Sequence, residues 1–403
     1  MSSRLSNGLV LSGGGARGAY EVGVMRYVRE ELPKVLGRQI PFDVITGTSV
    51  GALNGTYFAA TADTPATQAK HLATAWSGLL LEELIGLTSK DMFRAGRMLF
   101  GKPPPPPQPG DYRYGGILNT DGLERFVFNL VPWRGIRRNI RSGALSSLAL
   151  TATHVGTGHT VVFLDSKKDI PMWSHNPFVR PMRAAIGPRH ALASAAIPVL
   201  FPSVKVGRAF YVDGGLRNNT PMSPAIRLGA DRLLVVSLRH KSSKSEEMAK
   251  AKTNESDYPK PLFLLGKALN SLMLDSTEYD LDRMRRMNQI LESGTAAFGD
   301  TFASMIAPPE KRASPMRQLR AVHIQPSEDI GEMAASLVRR GGPRLKGRVA
   351  RNLVRKVAGS EGTNEADMLS YLLFDGEFSS ELIELGLQDA RRHEEELLRV
   401  FGN

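Results

Sequence analysis

Twice within its first sixty residues the chain runs an apolar strand into a glycine-bounded turn and out into a helix. Leu9-Val10-Leu11 leads into Gly13-Gly14-Gly15-Ala16-Arg17-Gly18, and Phe42-Asp43-Val44-Ile45 leads into Gly47-Thr48-Ser49-Val50-Gly51. Strands that each hand over to a helix pair in parallel, because the helical crossover returns the chain to the same end of the sheet. The fold class that follows is α/β, a largely parallel sheet covered by helices.

The two turns serve complementary chemistry. Gly13, Gly14 and Gly15 let the backbone approach a ligand closely, and their amides can donate to a developing oxyanion. In the second turn a serine at the apex of a sharp strand-to-helix elbow needs neighbours without side chains, which Gly47 and Gly51 supply. Ser49 then starts a helix that continues through Ala52, Leu53, Tyr57 and Phe58, and amides at a helix N-terminus favour an alkoxide. A nucleophile beside an anion cradle points to acyl transfer. Gly13, Gly15 and Gly18 also satisfy G-x-G-x-x-G, the dinucleotide fingerprint, which requires an acidic residue at a strand end roughly 20 residues on. Glu30 and Glu31 are near that distance but fall in a helical stretch, Tyr20 to Leu32, so the anion-hole reading is preferred.

A third segment completes the set. Phe210-Tyr211-Val212 reads as a strand, followed by Asp213-Gly214-Gly215 and Asn218-Asn219-Thr220-Pro221. A carboxylate at a strand end beside two glycines reaches into a site without crowding it, although Asp-Gly alone is an ordinary turn. GGGARG, GTSVG and DGG, in that order, resemble the patatin-like phospholipase family with no departure at any motif position. Ala193 to Pro202 resembles the family's approach to its aspartate strand, and Leu228 to Ser237 resembles its closing helix–strand unit. The likeness therefore spans about residues 5 to 240.

The resemblance implies a three-layer α/β/α sandwich and a lipid acyl hydrolase of phospholipase A or lysophospholipase type. Ser49 would be the nucleophile and Asp213 the base. Gly13, Gly14, Gly15 and Arg17 would form the oxyanion hole, with Gly47 and Gly51 framing the elbow. No metal or cofactor is expected. One rival is a carboxylesterase or triacylglycerol lipase with a Ser-Asp-His triad, since His240, His323 and His393 follow Asp213. Against it, the elbow arrives after only two strands, and none of these histidines lies in a short glycine-bounded loop. His154, His159 and His190 suit structural or surface roles. A different class of rival is a lipid-binding scaffold without activity, which the intact motifs disfavour. A dyad carries its own difficulty, because aspartate is a weak base with a reference pKa of about 3.9. Desolvation by the apolar strand before Asp213 would raise it. Arg17 either binds substrate phosphate or anchors the loop, and the need for rigid amides favours the anchor.

Composition agrees with this reading without having suggested it. Charged residues make up 23% and apolar residues 42% of 403 positions, ordinary for a globular chain. No run approaches the ~18 apolar residues of a spanning helix. Met1 to Gly8 has no hydrophobic signal core, which points to a cytoplasmic or peripheral-membrane enzyme, with a leaderless secreted effector as the other option. The absence of cysteine rules out disulfides and thiolate metal sites.

A net charge of +12 calls for an acidic partner, and membrane lipid is preferred over nucleic acid because no nucleic-acid motif is present. Arg344, Arg348, Arg351 and Arg355 form a stripe opposite Leu345, Val349, Leu353 and Val357. Such a helix fits an anionic bilayer, and equally a helix packed on the core with a solvated arginine face. Trp133 with Arg134, Arg137 and Arg138 admits the same two readings. Met92, Phe93, Met98, Leu99 and Phe100 could form an apolar lid, and Pro103 to Pro107 a stiff spacer. Residues 241 to 257 read as a polar loop, and the domain division expected is 5–240, catalytic, and 258–403, a mostly helical extension.

Overall fold

The computed structural model describes residues 4–86, 97, 106–108, 110–167, 169, 177–241, 248, 277–307, 316–343 and 363–402. Among these, ten strands form one sheet. They are β1 (Asn7–Leu11), β2 (Val44–Thr48), β3 (Arg113–Tyr114), β4 (Ser147–His154), β5 (Thr160–Ser166), β6 (Val179–Arg183), β7 (Ser203–Val206), β8 (Ala209–Asp213), β9 (Arg232–Val236) and β10 (Arg320–Ile324). The spatial order is β10-β9-β1-β2-β4-β8-β7-β3, with β5 paired to β4 and β6 to β5 off this path. From β10 to β4 every neighbour is parallel; β4 pairs antiparallel with β5 and β8, β8 with β7 and β7 with β3, while β6 is parallel to β5.

Alternation of side chains along the strands builds two apolar layers. Leu9, Leu11, Ile45, Leu148, Leu150, Leu234 and Val236 belong to one, and Val10, Val44, Ala149, Leu233 and Val235 to the other. The first is covered by the helices Ala19–Arg26 and Val50–Ala60 and by C-terminal helices; the second by Met222–Arg227 and Thr277–Phe298, through Met222, Ala225 and Leu281. The result is an α/β/α sandwich. The helix Val50–Ala60 is buried along its whole length, which agrees with its mostly apolar sequence.

β4 sets the register on which the site depends. Thr48, the last residue of β2, pairs with Thr151, and from Ala152 onward β8 replaces β2 as the neighbour of β4. Asp213 pairs with Ala152. The residue after β2 and the residue ending β8 therefore meet at adjacent levels of one strand.

The C-terminal extension is mostly helical, with Ile330–Arg339, Thr363–Leu372, Gly376–Arg392 and Glu394–Phe401 following Thr277–Phe298. It also supplies β10 to the sheet, parallel to β9. A strand of five residues with only Val322 and Ile324 buried leaves too short an apolar pattern to read in advance. Gly376–Arg392 crosses Ala19–Arg26 at backbone contact: a Cβ at Gly23 would strike the Ile383 carbonyl, and one at Gly386 the Tyr20 carbonyl. Tyr20 Oη donates to Asp389 Oδ2 at 3.0 Å across the same crossing.

The Trp133 cluster opens the helix Arg134–Ser142, where Trp133 packs against the main core and Arg138 pairs with Asp63 at 2.7 Å. Asn139 Nδ2 from this helix donates to the Ala59 and Ala60 carbonyls at 2.9 and 3.1 Å, closing the end of the elbow helix. The expected helix Tyr20 to Leu32 is seen as Ala19–Arg26, a wider π turn Tyr27–Glu31, and Leu32–Leu36. Met92, Phe93, Met98, Leu99 and Phe100, prolines 103 to 105, nearly all of 242–257, and Arg344, Arg348, Arg351 and Arg355 lie outside the described residues. No described helix is long and apolar enough to cross a membrane.

Candidate active site

Ser49 stands at φ 54° and ψ −124°, a region that residues with a side chain rarely occupy. Its surroundings hold it there. A Cβ at Gly47 would collide with the Gly51 carbonyl, and one at Gly51 with the carbonyls of Leu11 and Ser12. The Ser49 amide donates to Ser194 Oγ at 2.9 Å, and the Ser194 hydroxyl donates to the Thr151 carbonyl at 2.6 Å. Ser194 was not singled out from the sequence, yet it is the one polar side chain in the run Ala193 to Phe201. That pattern does not distinguish it from any tolerated hydroxyl, and only its burial in the structure does.

The Ser49 hydroxyl donates to Asp213 Oδ2 at 2.6 Å, and the Gly215 amide donates to Asp213 Oδ1 at 2.7 Å. Asp213 is fully buried, and desolvation pushes its carboxyl up to about 7 against the opposing pull of these two hydrogen bonds. The strand end is fixed by its neighbours: the Asp213 amide donates to the Ala196 carbonyl at 2.9 Å, and Thr153 Oγ1 donates to the Asp213 carbonyl at 3.0 Å. Gly214 packs against the Thr151 carbonyl, where a Cβ would not fit.

The triple-glycine loop lies against the same elements. The Gly13 amide donates to the Asn219 carbonyl at 3.1 Å, and Asn219 Nδ2 returns a bond to the Gly13 carbonyl at 3.3 Å. A Cβ on Gly13 would reach Ser49 Cβ at 3.0 Å, so the loop passes directly beside the serine. The segment after Asp213 is tied to β2 by Thr48 Oγ1, which donates to the Asn218 carbonyl at 2.8 Å, and by Thr46 Oγ1, which donates to the Pro221 carbonyl at 3.0 Å. Thr48 and Thr151 share a hydroxyl contact. Gly14 faces Leu238, and Gly15, at φ 57°, faces the Tyr371 carbonyl. The Arg17 amide donates to the Gly14 carbonyl at 3.2 Å. Its side chain is buried, with Nε donating to Ser370 Oγ at 2.8 Å.

The six histidines weighed from the sequence are engaged elsewhere. His240 Nδ1 bonds the Pro326 carbonyl at 3.0 Å, His323 Nε2 meets Ser237 Oγ at 2.8 Å, and His393 Nδ1 bonds the Asp389 carbonyl at 2.8 Å. His190 stacks edge-on against Phe163 and accepts from the Gly187 amide at 3.2 Å. His154 accepts from the Thr157 amide at 3.1 Å within the β4–β5 turn, and His159 packs against Phe178. Among the described residues no histidine is a hydrogen-bond partner of Ser49 or Asp213, and no group of three or more metal-ligating side chains is found.

Fold and site together define a three-layer α/β/α protein with a buried serine and carboxyl group hydrogen-bonded to each other beside a glycine loop. The chain belongs to the patatin-like phospholipase family, whose model matches residues 9–226. It is 44% identical over 84 residues to a patatin-like phospholipase domain-containing protein of Caenorhabditis elegans, covering 20% of this chain and 6% of that protein. It is 50% identical over 58 residues to a lysophospholipase of Aspergillus terreus, covering 14% of this chain and 3% of that protein. The matches thus span only a small part of these longer relatives. Among solved structures, VipD from Legionella pneumophila aligns over 98% of this chain and 75% of its own, at 14% identity and a TM-score of 0.28. That score is too low for residues to be matched between the two.

Proposed function

We propose that the protein hydrolyses carboxylic esters of membrane lipids, as a phospholipase A or lysophospholipase, through a Ser49–Asp213 dyad. The observation that carries this reading is the 2.6 Å hydrogen bond from the Ser49 hydroxyl to a fully buried carboxylate. Ser49 Oγ attacks the ester carbonyl while Asp213 takes its proton. The negative charge moves onto the former carbonyl oxygen, where amides of the glycine loop receive it. The Gly13 and Arg17 amides donate within the protein, which supports Gly14 and Gly15 as the oxyanion donors. Collapse returns the proton from Asp213 to the leaving alcohol and leaves an acyl-Ser49 ester. Water, deprotonated by Asp213, then releases the fatty acid and restores the serine. Residues 5–240 are the catalytic unit in this reading, and 258–403 the extension.

An aspartate near its usual pKa would be a poor base, whereas one near 7 is matched to neutral pH. Hydrolysis of a soluble p-nitrophenyl ester should therefore rise with pH through an apparent pKa of about 7 and then level. No single His→Ala change should lower kcat more than about tenfold, since a general-base histidine contributes ~10²–10⁴. A folded histidine variant thousands of times slower would establish a triad.

The excess of positive charge supports anionic lipid as the surface on which the enzyme works. Replacing Arg344, Arg348, Arg351 and Arg355 together with Gln should weaken co-sedimentation with anionic vesicles at low salt and leave soluble-ester hydrolysis intact. Equal vesicle binding by this variant and wild type would assign the stripe to a solvated face.

A further inference from the structure

We propose that Ser370 and Tyr371 of the C-terminal extension are positioning residues for the oxyanion loop, with Arg17 as the grip they hold. This rests on the Ser49–Asp213 reading. It also places an essential part of the site beyond residues 9–226, the stretch that matches the family.

An oxyanion hole lowers a barrier only if its amides already point at the charge before it forms. Three consecutive glycines are the backbone least able to hold such an arrangement unaided, because each has the widest conformational freedom. The rigidity must come from outside the loop. Arg17, two residues after Gly15, provides a handle. The residue is only 5% exposed, its Nε donates to Ser370 Oγ at 2.8 Å, and its Cζ lies 4.1 Å from the centre of the Tyr371 ring. Nη1 reaches the Leu238 carbonyl, just past β9, at 3.5 Å. Ser370 is fully buried, so the hydroxyl is part of the interior and not a surface contact.

A second contact acts on the backbone itself. Gly15, at φ 57°, presses its Cα face against the Tyr371 carbonyl so closely that a Cβ would collide with it. The helix Thr363–Leu372 thus braces the loop twice, through the arginine side chain and through Gly15. A planar guanidinium can stack on a ring and donate along its edge at once, which an ammonium cannot. A group used in this way is already committed, and binding a lipid phosphate would require dismantling the brace.

The test uses the full-length chain and compares Arg17→Met, Tyr371→Leu, Ser370→Ala and the Arg17→Met/Tyr371→Leu double variant. Substrates are a soluble p-nitrophenyl ester and phosphatidylglycerol vesicles, with folding checked by circular dichroism. Outright loss of an oxyanion donor costs ~10²–10³ in kcat, so a loosened loop should lose roughly 10- to 100-fold. That loss should appear in kcat on both substrates, with KM for the soluble ester and the acid limb of the pH profile unchanged, because Asp213 is untouched. Ser370→Ala should show a smaller loss of the same kind. The double variant should be no slower than the worse single variant, since both remove one brace.

Folded variants with wild-type kcat, or losses that multiply in the double variant, would overturn the proposal. So would an Arg17→Met loss confined to vesicles with Tyr371→Leu silent, which would make Arg17 a phosphate ligand. If Tyr371→Leu does not fold, Arg17→Lys decides the matter. It keeps the charge that a phosphate needs but not the stack, so a slow soluble-ester rate supports the brace and a wild-type rate refutes it. Failure of the dyad reading would look different: hydrolysis by wild type would persist in Ser49→Ala.

Discussion

Ser49→Ala should abolish hydrolysis of a p-nitrophenyl ester, by a factor of roughly 10⁴–10⁶, because the attacking atom is gone and nothing beside it can replace it. A fluorophosphonate probe should label wild type at Ser49 and leave the variant unmodified, as read by mass spectrometry of the labelled peptide. Secondary structure should be unchanged, since Gly47 and Gly51 pack backbone to backbone whether or not the hydroxyl is present. Ser49→Gly sharpens the interpretation. At φ 54° a side chain is strained and glycine is not, so this variant should be equally inactive yet more stable than Ser49→Ala by about 1–3 kcal/mol. Thermal melts of the two inactive proteins would measure the strain stored at the elbow. Near-full activity in either variant, or labelling at another serine, would remove Ser49 from the mechanism.

Asp213→Asn should be nearly as damaging, with kcat down by roughly 10³–10⁴, while the protein becomes more stable at neutral pH. The amide keeps an oxygen for the Gly215 amide and fits the same space, but cannot take a proton. The stability gain follows from the raised pKa. In the unfolded chain the carboxyl ionises near 3.8, and burial raises it to about 7 in the folded state. Between those values the native protein binds more protons than the unfolded chain, so this group's contribution to stability falls as pH rises. The loss is complete above about pH 7 and amounts to on the order of 4 kcal/mol. Asparagine carries no such cost. Its advantage in melting temperature should be largest above pH 7 and vanish below pH 4, where the native carboxyl is neutral in both states. A variant less stable than wild type at pH 8 would show that the carboxylate is needed by the fold.

Much of the site was legible because its parts are local. Glycine turns after short apolar runs carry their conformational meaning within five or six residues, so Gly13 to Gly15, Gly47, Ser49, Gly51 and Asp213 could be named from the chain alone. The residues that hold them in place could not. Ser194, Thr151 and Asn219 each bond to partners distant in sequence, such as Ser49 and Ser194, which are 145 residues apart. Ser370 is 353 residues from Arg17. No periodicity or spacing encodes a contact of that range, and a lone serine in an apolar run looks like any tolerated hydroxyl.

The sequence by itself determined the α/β class, the order of the three motifs and the chemical identity of the serine and the carboxylate that they carry, because strand, turn and helix signals depend on neighbouring residues. Only the tertiary structure decided that β8 takes over from β2 beside β4, which brings Asp213 within 2.6 Å of Ser49. It alone decided that Asp213 is buried, since burial is a property of everything packed around a residue. It also decided that the C-terminal extension adds β10 to the sheet and lays Tyr371 against the glycine loop. Those outcomes arise from register and packing between segments hundreds of residues apart, which are settled only when the whole core closes.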